Sequence, residues 1–387
     1  MAVREPAITF LSHTAAASGA ELATVRLATA LRSMGVTSTV LFTQDGPMVA
    51  ELSRRGVPVR VVSGQFDSTK VTIGGARIAI LSGAWQMVRL GWDIGEVIRT
   101  SGSTVVVAES TKALLMGAVA ARRARVPVIW HVHDRVSSEF FGTAMASILR
   151  FLGWSVSSGY IANSNSTLQS LMTYRKRSVV AYPGVEAVDV AVHVQRPPDQ
   201  VRIVMVGRLE RWKGQDLLLR ALARSAFKPQ ATFVGGAHFG EDFGGELAEL
   251  VTELGLTDSV TFTGHVSDPS TYLADADIAV HCSRTTEPFG QVIVEAMAAG
   301  CAVIAANAGG PLEIVTDAVD GLLVDPTDIE ALTQALDNLI GDPVLRWELA
   351  ERARSTVARF TVEETAATVD GFLRAPSSNL VRGRPNG

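Results

Sequence analysis

The chain predicts an α/β protein of two tandem, doubly wound domains, and three observations carry that prediction. Apolar runs of strand length alternate with helical periods along all 387 residues. The runs at 105–108, 126–131 and 160–162 are nearly all apolar, as strands of a parallel sheet covered on both faces require. The rhythm breaks once, over 185–200, which ends in Arg196-Pro197-Pro198-Asp199, and then resumes. At about 150 residues per domain the length gives two to three domains. We expect an N-terminal domain over 1–190 and a C-terminal one over 200–360.

The first series begins with a strand at 8–13 and a helix at 19–34, where Leu22, Val25, Leu27, Ala30 and Leu31 recur at helical spacing. Strands at 38–43 and 57–63 follow, with a helix at 48–55 between them and a longer one over 75–99. Helices at 113–125, 143–156 and 166–174 separate the three apolar strands. The second series places strands at 201–206, 231–234, 260–263, 278–281, 302–305 and 321–324. Its helices are expected over 215–226 and from Glu241, Pro269, Phe289 and Asp328. Such alternation implies parallel sheets with right-handed crossovers. Two last helices, 343–358 and 362–373, have no strand after them, and the second is expected to return to the N-terminal domain. The final dozen residues read as a tail.

Composition excludes several classes. At 47% apolar and 19% charged residues, the chain is neither disordered nor fibrous. Two cysteines, Cys282 and Cys301, cannot build a disulfide framework or a cysteine-rich zinc site, and they point to a reducing compartment. The first residues lead straight into a strand-like run and do not read as a signal peptide. No uninterrupted apolar stretch reaches the length of a membrane span. A cytoplasmic location is therefore expected. The net charge of −4 hides an asymmetry, since residues 1–198 carry 20 Lys and Arg against 12 Asp and Glu, a net of +8. The rest carries 15 against 27, a net of −12. The basic clusters Arg122-Arg123-x-Arg125 and Arg175-Lys176-Arg177 suit helix ends. Nothing aromatic interleaves with them, so nucleic acid is not an expected partner.

In open α/β sheets ligands bind beyond the carboxyl ends of strands, and the motifs fall there. Glu287-Pro288-Phe289-Gly290-Gln291-Val292-Ile293-Val294-Glu295 follows the strand that ends near Cys282. With Pro288 at the first helical position, a helix from Phe289 aims free N–H groups of Gly290 to Ile293 at an anion. Glu287 sits at its mouth and Glu295 lies inside it, so two carboxylates reach different parts of one polar ligand. In Val206-Gly207-Arg208-Leu209-Glu210-Arg211-Trp212-Lys213-Gly214, Arg208 can fork onto a diphosphate and Lys213 adds a point charge. Gly235 and Gly236 form a turn after a strand, where side chains block a close-lying ligand.

These two segments carry a resemblance. Glu-x7-Glu within E-P-F-G-x-x-x-x-E-A-M-A-x-G resembles the signature of family 4 retaining glycosyltransferases, and V-G-R-L-x-x-x-K-G is similar to their phosphate loop. The resemblance covers roughly residues 8–372. It implies the GT-B fold, two Rossmann-like domains facing across an interdomain cleft. It implies a nucleotide-diphosphate sugar, UDP- or GDP-linked, as co-substrate, with no other cofactor and no metal. Catalytic positions carried over are Glu287 with Arg208, Lys213 and His133. Donor binding falls to Gly19, Gly207, Gly235, Gly236, His265, Val266, Phe289, Gly290, Gln291, Val292 and Glu295. Thr261-Phe262-Thr263-Gly264-His265-Val266 matches the family's base-holding loop, Ser18-Gly19-Ala20-Glu21 its N-terminal glycine loop, and Asn307-Ala308-Gly309-Gly310-Pro311 a structural turn.

Trp130-His131-Val132-His133-Asp134 matches the family's H-D pair at a strand end, which places His133 against the transferred sugar. His131 and His133 share one strand face. A zinc site of His131, His133 and Asp134 needs a bend to bring Asp134 round, and is not expected. Asp275-Ala276-Asp277 reads as a helix-to-strand turn rather than a metal motif. The departure is Val107-Ala108-Glu109-Ser110, where many relatives carry histidine or asparagine. We expect Glu109 and Asp134, with Glu139 nearby, to face a polyhydroxylated or amino acceptor. The apolar segment 140–158, interrupted by Arg150, suits either a buried helix or a membrane-contact helix, and its all-round apolarity favours burial. A phosphorylase or nucleotide-sugar hydrolase on the same site, or a non-catalytic binder, are the alternative readings.

Overall fold

The computed structural model describes residues 6–62, 77–186, 196–236 and 243–375. Most of the expected linker, the starts of the helices expected from 75 and from Glu241, and the tail lie outside these residues. The chain divides into two compact units, one of Met1–Gly184 with Val362–Gly387, the other of Val185–Thr361.

In the first unit seven strands form one parallel sheet: β1 (Ala7–Ser12), β2 (Thr37–Phe42), β3 (Val59–Val61), β4 (Val105–Ala108), β5 (Val128–Val132), β6 (Gly159–Ala162) and β7 (Arg177–Val180). Their order is β3-β2-β1-β4-β5-β6-β7, with Ile8 opposite both Ser38 and Val105. The order reverses between β1 and β4, which makes that junction the switch point where such sheets bind ligands. One face is covered by α1 (Gly19–Ser33) and α15 (Val362–Arg374), whose Leu27, Leu31, Ala366 and Val369 bury against Phe10, Val107 and Ile161. The other is covered by α3 (Arg77–Ser101), α4 (Thr111–Ala124) and α6 (Thr143–Val156), with Leu90, Ile94, Leu114 and Leu149 against Leu11, Val106 and Trp130. Both faces are dry, which explains the unbroken apolar strands. α4 starts where the Ser110 hydroxyl accepts the Ala113 N–H and stops at Arg125, whose φ is 58°.

The second unit repeats the plan with β8 (Arg202–Val206), β9 (Gln230–Val234), β10 (Val260–Phe262), β11 (Ile278–Val280), β12 (Ala302–Ala306) and β13 (Leu322–Val324). The order β10-β9-β8-β11-β12-β13 puts its switch point between β8 and β11. Helices α8 (Gln215–Arg224), α9 (Phe243–Glu253) and α13 (Ile329–Gly341) bury Leu218, Leu222, Leu247, Leu332 and Leu336 against Ile203, Phe233 and Ile278. On α14 (Pro343–Val357), Asp342 accepts the N–H groups of Val344 and Leu345 and Pro343 fills the first turn, a capped start legible in sequence.

Four expectations need correction. β7 was not foreseen, because this half-buried edge strand opens on Arg177 and lacks the apolar density of the others. The helix expected over 166–174 is the single turn α7 (Asn165–Gln169), capped by Ser164. The helix expected from Phe289 is α11 (Gln291–Ala298), with Gly290 as a left-handed N-cap at φ 101°, so Pro288 lies outside it. Finally α6 is a surface helix, with only Ala146, Leu149 and Gly153 buried. Its inner face must lie flat on β5, and a Cβ at Gly153 would come within 2.3 Å of the Trp130 ring. Among the described residues, no helix is long and apolar enough to cross a membrane.

Candidate active site

Each unit gathers polar side chains at its switch point. In the second unit the loops after β8 and β11 meet through Lys213, whose Nζ lies 3.0 Å and 3.1 Å from the two carboxylate oxygens of Glu287. The Ser283 hydroxyl donates to Glu287 Oε2 at 2.7 Å, and His281 Nε2 lies 3.3 Å from the same oxygen. His281 and Ser283 alternate on the chain leaving β11, so both face Glu287. Burial pushes the Glu287 carboxyl up, but the Lys213 charge and the His281 and Ser283 hydrogen bonds outweigh it and hold it well below the usual range. Glu287 is thus a fixed anion in a largely buried setting.

The Lys213 ammonium also stands 4.0 Å over the Trp212 ring, whose Nε1 donates to Glu210 Oε2 at 2.6 Å. Arg208 extends from the end of β8 with Nη1 3.3 Å from Glu210 Oε1, and its side chain is mostly exposed. Gln215 Nε2 donates to the Arg208 carbonyl at 2.8 Å, fixing the loop's backbone. Gly235 lies against this loop, where an added Cβ would stand 2.0 Å from the Gly207 carbonyl oxygen, at a φ of 149°. Only glycine fits that approach. Gly236 abuts His265, which is exposed, whereas Val266 is half-buried.

At the start of α11 the Ile293 N–H is already donated to the Gly290 carbonyl at 2.9 Å, so the expected run of free donors contracts toward Gln291 and Val292. The Phe289 ring is buried, 5.8 Å edge-on from Phe360, so its side chain belongs to the core rather than to a ligand surface. Glu295 is half-buried and its Oε1 accepts from Gln291 Nε2 at 3.2 Å. Gly310 donates its N–H to the Glu287 carbonyl at 2.9 Å, a structural contact that fixes the backbone carrying the carboxylate. Asp277 accepts the Arg202 N–H at 2.8 Å and pairs with Arg196, so the Asp-x-Asp turn is structural.

In the first unit, Glu109 follows β4 and His131 and His133 come from β5. Glu109 Oε2 accepts from His133 Nε2 at 2.8 Å and from the Thr24 hydroxyl of α1 at 2.8 Å, and His131 Nδ1 lies 3.1 Å away. The expectation that Glu109 offers its carboxylate to an acceptor is corrected: the group is buried and engaged from three sides by its own chain. Burial pushes its carboxyl up, yet the two histidines bring it to about 2. Burial lowers His131 and keeps it neutral. Burial also lowers His133, but the Glu109 hydrogen bond and charge, with Asp134 and Glu21, raise it above the usual histidine value. Asn163 Nδ2 donates to the His133 carbonyl at 2.7 Å and holds the strand end. Ligand-type atoms of Glu109, His131 and His133 lie within 4.8 Å of one another, and Asp134 is outside that group and exposed. Gly19 opens α1, and Glu21 is buried beside it with the Ser18 hydroxyl on its carboxylate.

Sequence reasoning missed Thr24, His281, Ser283 and Trp212. The first three could have been found from periodicity, since Thr24 lies three residues after Glu21 on α1 and the other two share the period of two.

Known proteins resemble this chain over both units. Residues 17–188 match the model described as Glycosyltransferase Family 4, and residues 192–356 match that of Glycosyl transferases group 1. The chain is 33% identical over 195 residues to the lipopolysaccharide core biosynthesis glycosyltransferase LpsE of Rhizobium meliloti, covering 50% of this chain and 54% of that protein. It is 31% identical over 192 residues to the D-inositol 3-phosphate glycosyltransferase of Paenarthrobacter aurescens, covering 48% and 46%. The matched stretch spans about half the length of these relatives. The crystal structure of Anabaena HepE in complex with UDP and glucose superposes with a TM-score of 0.82 at 29% identity, over 95% of this chain and 99% of that one. The chain belongs to the family 4 glycosyltransferases and has their GT-B type of fold, two parallel-sheet α/β domains.

Proposed function

We propose that this glycosyltransferase moves a hexosyl group from a nucleotide-diphosphate sugar to a hydroxyl of a polyhydroxylated or amino acceptor, retaining the anomeric configuration and using no metal. The observation that carries the reading is the largely buried Lys213–Glu287 pair beside the start of α11. UDP-glucose is the first donor to try, because HepE has been crystallised with UDP and with UDP-glucose. The second unit binds the donor, with Glu295 on the ribose and the loop at His265 and Val266 on the base. Arg208, Lys213 and the N–H groups of Gln291 and Val292 take the diphosphate, and Glu287 takes the sugar hydroxyls.

As the glycosidic bond breaks, negative charge grows on the leaving diphosphate. Fixed positive groups that need no reorganisation stabilise it most in the transition state. Glu287 serves twice here, since it binds sugar and holds Lys213 at one place. The departing phosphate oxygen takes the acceptor's proton while the acceptor oxygen bonds to the anomeric carbon from the same face. The first unit binds the acceptor, for which the exposed Asp134, and His133 at the end of β5, are the candidate contacts. Glu109 enters as a positioning residue, fixing His133 through Nε2.

A transfer assay with UDP-glucose and a panel of inositols and aminocyclitols tests the reading. Glycoside product with the α configuration, seen by NMR and lost in Glu287→Ala, is the expected result. Glucose 1-phosphate or free glucose in its place, with no glycoside from any acceptor, would make the protein a phosphorylase or a hydrolase.

A further inference from the structure

The transfer reaction makes no use of the outer face of α6. Exposed apolar side chains are ordinarily scattered singly over a surface. Here they form a stripe. Ile148 and Phe151, one turn apart, are 50% and 56% exposed. The Phe151 ring lies 6.0 Å from that of Trp154, whose Nε1 donates to the Tyr174 carbonyl at 2.9 Å. Tyr174, 65% exposed, continues the stripe across the turn before β7.

The charges along it have one sign. From residue 140 to 185 the chain has no Asp or Glu, while Arg150, Arg175, Lys176 and Arg177 fall within the same stretch. Lys176 Nζ stands 5.6 Å over the Trp154 ring and the Arg175 guanidinium 5.2 Å over that of Tyr174. α6 has no basic face of its own, which in sequence argues against a membrane role. The fold supplies the missing cations from the neighbouring turn. Arg122 and Arg125, exposed at the end of α4, lie at the same amino edge of the sheet.

Apolar side chains flanked by Trp and Tyr, with Lys and Arg at the rim and no acid between residues 140 and 185, match the boundary of an anionic bilayer. We propose that this face seats the protein on an anionic membrane surface. Ile148, Phe151 and Tyr174 enter the headgroup–acyl boundary while the exposed Arg175 meets lipid phosphates; the half-buried Lys176, whose Nζ donates to the Ser157 carbonyl at 2.7 Å, adds positive charge behind it. Charge complementarity selects this occupant over a second copy of the chain, which would set the same unopposed cations against each other. The inference is independent of the donor and acceptor, and its test requires no turnover.

The experiment is flotation of the whole chain with phosphatidylcholine vesicles, with and without phosphatidylglycerol, at low and high salt. Binding should need the anionic lipid, weaken with salt, and fall at least about tenfold in Ile148→Ser/Phe151→Ser and in Arg175→Glu. Arg175→Glu changes an exposed side chain, so it reads the charge contribution if the double variant fails to fold. Absence of binding to anionic vesicles, or equal binding to both kinds, overturns the proposal. So does a dimer in light scattering that Phe151→Ser converts to monomer, which would assign the face to a second copy.

Discussion

Lys213 Nζ lies nearly equidistant from the two oxygens of Glu287, at 3.0 Å and 3.1 Å, and so ties the loop after β8 to the loop after β11 across the switch point. The pair sets one positive and one negative group side by side at the carboxyl ends of β8 and β11, a combination that suits the proposed donor's anionic oxygens and neutral hydroxyls. Neither group can be removed without leaving the other exposed to a cost, because both are largely buried.

Glu287→Ala should therefore act on both function and fold. Transfer (kcat/KM) should fall at least about a hundredfold, or about 2.7 kcal/mol. Stability should fall by about 1–3 kcal/mol as Lys213 loses its partner. Steady-state kinetics and urea unfolding read the two effects separately, and full activity in the variant would remove Glu287 from the mechanism.

Glu109→Gln should change one histidine in particular. The carboxylate accepts from His133 Nε2 and raises that residue above the usual histidine range. Nitrogen-15 NMR of the wild-type imidazoles should show His133 protonated on Nε2, with a midpoint above that of a free histidine. In the variant the midpoint should drop, and the transfer pH profile should move down with it. A His133 signal that does not respond to Glu109→Gln would leave Glu109 as packing alone.

His13 sets a pH dependence of stability. Burial first, then the Lys112 charge, lowers its pKa to about 4. The unfolded chain therefore binds a proton between the ordinary value of 6.5 and about 4 that the folded chain refuses. Its contribution is fully present above 6.5 and fades as the pH falls toward 4, by up to about 3 kcal/mol. Urea unfolding across this window should show stability rising with pH, and His13→Asn should flatten that slope.

Gly153→Ala tests the seat of α6. The new methyl would meet the Trp130 ring at 2.3 Å, well inside contact distance. Overpacking of this kind costs about 1–3 kcal/mol, even though alanine is the better helix former. A variant as stable as the wild type would mean that the helix shifts freely on β5.

Much of this was legible in the sequence, for identifiable reasons. Buried parallel strands are written as unbroken apolar runs, so β4, β5 and β6 stand out, whereas the edge strand β7 carries Arg177 and does not. Gly207, Gly235 and the Glu287–Glu295 segment are spaced by the backbone they must form, which makes them readable without coordinates. Glu109 was misread because its chemistry depends on His131, His133 and Thr24, which reach it from other elements. The start of α11 was misread because a left-handed cap at Gly290 looks in sequence like the first turn of a helix. The exposure of α6 was invisible, since an apolar helix side packed on β5 and one facing outward are spelled alike.

The most direct test of the donor assignment is thermal unfolding with UDP, UDP-glucose, GDP and GDP-mannose, in the wild type and in Arg208→Ala. A ligand that binds only the folded chain raises the midpoint by mass action. On this assignment a nucleotide diphosphate and its sugar should stabilise the wild type without added metal, and Arg208→Ala should abolish the shift. Stabilisation that persists undiminished in Arg208→Ala would contradict it.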